Sequence, residues 1–79
     1  MALKELFIGV MTETLRRETK AKIVSGELKP PLNPALTAEA AWKGIISQPE
    51  TADAVALMDI TQSDIDAMVR KVYKELKCT

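Results

Sequence analysis

Apolar residues recur along the chain at helical spacing, and no stretch longer than a few residues reads as a strand. The last stretch is the clearest. Ile65, Met68, Val69, Val72 and Leu76 fall on one stripe of a helix, while Arg70, Lys74 and Lys77 fall on the opposite side. Thr61 is a good N-cap for it, Asp64 stands at the capping-box position, and Ile60 and Ile65 have the spacing of a hydrophobic staple. These signals predict a helix over about 61–77.

The first stretch has two characters. Leu3, Leu6, Phe7, Val10, Met11 and Leu15 share a broad apolar arc, which predicts a core-facing helix over about 3–25. After Leu15 the arc fails. Arg17, Glu18 and Lys22 stand where apolar residues should continue, so this part is expected to project beyond the core or to lie uncovered. Gly26 is placed to end the helix in the left-handed conformation.

Three prolines in Pro30-Pro31-Leu32-Asn33-Pro34 exclude a regular helix and predict an extended connector over 27–34. Asn33 followed by Pro34 can open a second helix over about 35–48, with Thr37 as the competing cap. Ala38, Ala41, Trp42, Ile45 and Ile46 form its expected buried side. Pro49 ends that helix and opens a third over about 49–58, where Val55, Leu57 and Met58 supply the bulk. Asp59-Ile60 reads as a tight turn. The expected architecture is one all-α domain spanning 1–79, a compact bundle of about four helices with a Pro-rich connector after the first.

Composition narrows the functions such a domain can carry. At 47% hydrophobic and 28% charged the chain is expected to fold. With 79 residues it has room for one thin core and none for a deep substrate cleft, so dimerisation or partner binding is a natural route to added stability. Ile8 and Trp42 are the apolar surplus an oligomer could cover, although a lone tryptophan in a small domain usually belongs to the core. Eleven basic and eleven acidic residues cancel, which argues against bulk nucleic-acid packaging.

Histidine is absent and the single cysteine, Cys78, lies next to the C-terminus in what should be a frayed tail. A nucleophile therefore lacks an evident base, and neither a metal-loop spacing of acids nor a glycine-rich phosphate loop is present. The expectation is a protein that is not an enzyme and uses no cofactor, metal or small-molecule substrate. The apolar run Leu6–Met11 is too short for a membrane span or a signal peptide, and a cytoplasmic location is expected.

Residues 54–68 resemble a helix-turn-helix. Ala54, Val55 and Met58 lie on a first helix, Ile60 is buried in the turn, and Ile65 and Met68 face back from a second. The resemblance implies a dimeric DNA-binding regulator in which Thr61, Gln62 and Ser63 enter the major groove. The sequence departs from the pattern in three ways: Asp59 replaces the usual turn glycine, Val55 is bulky, and Asp64 and Asp66 oppose phosphate. Both aspartates also suit a helix N-terminus with no ligand at all, and Lys71 with Glu75 is spaced as a surface pair.

The preferred expectation is a small regulator or inhibitor that binds a macromolecule, a protein before DNA. Its candidate surface joins Arg16, Arg17 and Lys20, where the apolar arc fails, to Arg70, Lys74 and Lys77 on the outer side of the last helix. A structural subunit of an oligomer, such as a homodimer, is the further alternative. The Pro31/Pro34 spacing reads as a rigid spacer rather than a recognition motif, because no basic residue stands at the positions that orient such ligands in their grooves.

Overall fold

The computed structural model describes residues 3–78, and among them the fold is all-α. Helix α1 runs from Leu3 to Ser25, α2 from Pro34 to Ser47, α3 from Pro49 to Leu57 and α4 from Gln62 to Glu75. Helix α4 is the centre: α2 packs most extensively against it, α1 covers another side, and α3 rests on α2. Five of the nine buried apolar residues, Ile65, Met68, Val69, Val72 and Tyr73, belong to α4. Tyr73 widens the stripe by one position, and its hydroxyl meets Thr37 Oγ1 at 2.7 Å, so the ring is buried with its polar end satisfied.

The expected start of α4 is present in full. Asp64 N–H donates to Thr61 Oγ1, and Thr61 N–H donates to the Asp64 carboxylate at 2.9 Å. Ile60 and Ile65 on either side of the cap are both buried, as a staple requires. For α2 the cap is Asn33, whose side-chain oxygen accepts from Ala35 and Leu36, with Pro34 in the first turn. Thr37 lies inside the helix and bonds back to the Asn33 carbonyl.

Helices α3 and α4 end in the same device without a glycine. Ile60 N–H donates to Val55 O at 2.8 Å and Asp59 N–H to Ala56 O at 3.2 Å, with Asp59 at φ +58°. Cys78 N–H donates to Tyr73 O at 2.8 Å and Lys77 N–H to Lys74 O at 3.2 Å, with Lys77 at φ +57°. Both are Schellman closures, and in each the residue beyond the left-handed one packs on the core beside the helix it closes. Gly26, at φ +85°, ends α1 as expected.

Several expectations give way here. Cys78 is fully buried rather than frayed, because the closure at Lys77 folds it back onto Tyr73. Leu3, Leu6 and Val10 are exposed; the side of α1 against the core carries Phe7, Ile8, Met11, Leu15 and Ile23, so Ile8 is not surplus. Past Leu15 the helix does not project beyond the body of the molecule, since Thr19 is buried and Ile23 packs on the core, while Arg17, Glu18 and Lys22 lie uncovered as the second alternative expected. Ile46 and Leu57 point outward, since α2 turns Ala38, Ala41, Trp42 and Ile45 to the core and α3 commits only Val55, with Met58 following just past its end.

Candidate binding surfaces

The six candidate cations fall into separate groups. Arg16 faces α4 and is spent on structure: its Nε and Nη2 reach one Glu75 oxygen at 2.8 and 2.7 Å, and Glu13 holds Nη1. The Glu75 hydrogen bond is the main reason its guanidinium is held still more firmly protonated. Glu75 is therefore the partner of Arg16 on another helix, not of Lys71 on its own. Arg17 and Lys20 are exposed. One residue past Arg16, the helix has turned Arg17 onto the outer face with Leu6, Val10 and Glu13, where it lines a groove of about 630 Å³.

Arg70 and Lys74 lie one turn apart on α4 and come together over the connector. Leu32 N–H donates to Cys78 O at 2.6 Å, which pins the connector to the closure after α4. Between them opens a groove of about 770 Å³, floored by Pro31, Leu32, Asn33 and Pro34 and edged by Arg70 and Lys74. No acidic residue lines it. Arg70 Nε donates to Asp66 at 2.7 Å, leaving its terminal amino groups to bond elsewhere. Lys77 is exposed just beyond, at the left-handed position of the closure.

Thr61, Gln62 and Ser63 are exposed at the start of α4, but Thr61 Oγ1 is engaged with Asp64. Asp64 is further tied to Lys4 of α1 at 3.1 Å, and Lys4 also donates to the Asp59 carbonyl. The Thr61 backbone N–H first, and Lys4 next, hold the Asp64 carboxyl below its ordinary pKa. Asp59 adopts the left-handed turn a glycine would supply, so that departure from the helix-turn-helix pattern has no backbone consequence. The packing is different: α3 lies against α2, and the principal contacts of α4 are with α2 and α1. Burial pushes the Cys78 thiol pKa up and keeps it in its unreactive form.

The groove beside the connector is the feature sequence reasoning missed. Its cations were named, but their floor comes from a proline segment far away in sequence, and the contact depends on the hydrogen bond to Cys78. Comparison with protein-family models, with curated proteins and with solved structures gives no match. Among the described residues, no helix is long and apolar enough to cross a membrane.

Proposed function

We propose that this is a small non-catalytic binding protein of the cytoplasm, a regulator or inhibitor that docks an acidic, extended segment of another protein in the groove between the connector and α4. The observation carrying this reading is the convergence of Arg70 and Lys74 on a proline-rich apolar floor that contains no carboxylate. A segment alternating apolar and acidic side chains matches it, with its apolar groups on Pro31, Leu32 and Pro34 and its carboxylates against the two cations. Prolines are already restricted before binding, so little conformational entropy is lost on the protein side. The missing histidine and the buried thiol support a role in binding rather than catalysis.

The test is fluorescence anisotropy with a labelled peptide of alternating Glu and Leu, a Lys-for-Glu control peptide and a labelled DNA duplex. The acidic peptide is expected to bind and the basic one not, and Arg70→Glu with Lys74→Glu should weaken binding at least tenfold without loss of helicity. Equal binding of both peptides, or a double variant with unchanged affinity, overturns the proposal. Binding of the duplex alone, with log K falling steeply against log salt, replaces it with the DNA-binding reading.

A further inference from the structure

Helix α1 carries a second seam. Leu3, Leu6, Val10, Glu13, Arg17, Lys20 and Val24 follow one another at steps of three and four residues, and all seven are exposed. Four of them are apolar, with Leu3 64%, Leu6 54%, Val10 60% and Val24 81% exposed. Alternate three- and four-residue steps are the spacing of a coiled-coil seam, whereas a helix face meant only for water has no use for such a stripe. Since α1 packs against α4 among the helices, this face is left without a partner.

We propose that the occupant of this face is a second copy of the chain, paired antiparallel along α1 about a two-fold axis near Leu15. The argument is self-complementarity. With the axis there, Leu6 meets the partner's Val24, Val10 meets the aliphatic stem of the partner's Lys20, and Glu13 meets the partner's Arg17. Each contact is made twice, as an isologous interface requires. Within the overlap of the two helices every layer is therefore apolar against apolar, apolar against a lysine stem with its ammonium in water, or acid against base, and Leu3 lies beyond that overlap, past the end of the partner helix. A parallel pair would instead set Glu13 on Glu13, Arg17 on Arg17 and Lys20 on Lys20. Sliding the antiparallel pair by a heptad sets Arg17 against Lys20, or leaves Leu6 opposite a guanidinium and Val10 opposite a carboxylate. The seam selects one register, with the Glu13/Arg17 pairs as its central polar layer. This interface is separate from the connector groove, so two dimer-related grooves remain free.

The experiment is sedimentation of the full chain over a concentration series, with circular dichroism to check the fold. The wild-type mass should rise from 8.7 kDa towards twice that value. Arg17→Glu and Glu13→Arg should each weaken the dimer at least tenfold, because each puts like charges together twice. Mixing the two variants in equal amounts should restore association, because every central pair is then acid on base. Arg17 is exposed, so its variant tests the seam without disturbing the core. A wild type that stays monomeric, an Arg17→Glu variant that dimerises as well as the wild type, or a mixture that fails to associate overturns the proposal.

Discussion

Helices α1 and α4 contain almost the same proportion of apolar residues, ten of 23 in the first and six of 14 in the second. What separates them is arrangement. In α4 all of the apolar groups except Ala67 lie on one side, and Ile65, Val69 and Val72 are withdrawn from water completely. In α1 they lie on two sides, one against the core and one in solvent, and Thr19 is its only buried residue. One stripe needs one neighbour, and the fold supplies it. Two stripes need two neighbours, and a single copy of this chain supplies one. Burial thus follows the geometry of the pattern rather than the amount of apolar surface.

The largest test of this contrast substitutes alanine on each helix. Ile65→Ala empties a fully buried site and should cost about 3 kcal/mol through lost burial and the cavity left behind. A single core in a chain of this size supplies only about 3–5 kcal/mol, so this variant should keep no more than about 2 kcal/mol of its stability at room temperature. Leu6→Ala, at concentrations where the chain is monomeric, should change stability by no more than about 0.5 kcal/mol. Urea unfolding followed by circular dichroism measures both, and equal losses would collapse the contrast.

A smaller test concerns how α4 is fixed while α1 is held to it. Thr61→Ala removes the cap of α4 and should cost about 1 kcal/mol. The same cluster makes stability depend on pH. The Asp64 carboxyl is held below its ordinary value of 3.8, so the folded state prefers it ionised. Its stabilising contribution is complete above that ordinary value and is lost as the pH falls through the lower folded-state value. Asp64→Asn should flatten the acid limb of the stability profile, and an unchanged profile would remove Asp64 from the account. Lys4→Met should flatten it less, because the Thr61 backbone N–H has the larger influence on that carboxyl.

Much of this architecture is legible before any coordinates. Caps, prolines and the α4 stripe are local signals, and Asn33, Pro34, Pro49, Thr61 and Asp64 mark where helices begin through interactions within three residues. The choice between the two sides of α1 is not local. Leu6 and Ile8 are equally apolar, and only the position of α4 decides that Ile8 is packed and Leu6 exposed. The connector groove is hidden for the same reason, since Pro31 and Lys74 meet through the backbone bond between Leu32 and Cys78. The two closures at Asp59 and Lys77 are hidden differently. A left-handed residue announces itself when it is glycine, and neither of these is.

Lys77 therefore offers the finest test, because it reverses the usual direction of a substitution. Its backbone sits at φ +57°, where a side chain with a Cβ crowds the following carbonyl. Asp59 in the equivalent place has a short polar side chain that tolerates this region; lysine has no such compensation. Lys77→Gly removes the crowding but gives the unfolded chain more freedom to lose, and the first effect should win at a position already left-handed. The expected gain is about 0.5 kcal/mol. Lys77→Ala keeps the Cβ and should bring no gain. If glycine destabilises instead, the lysine side chain makes a contact that outweighs its backbone strain. Cys78 reports the same event independently, because a firmer closure should slow alkylation of its buried thiol, while a weakened one should expose it.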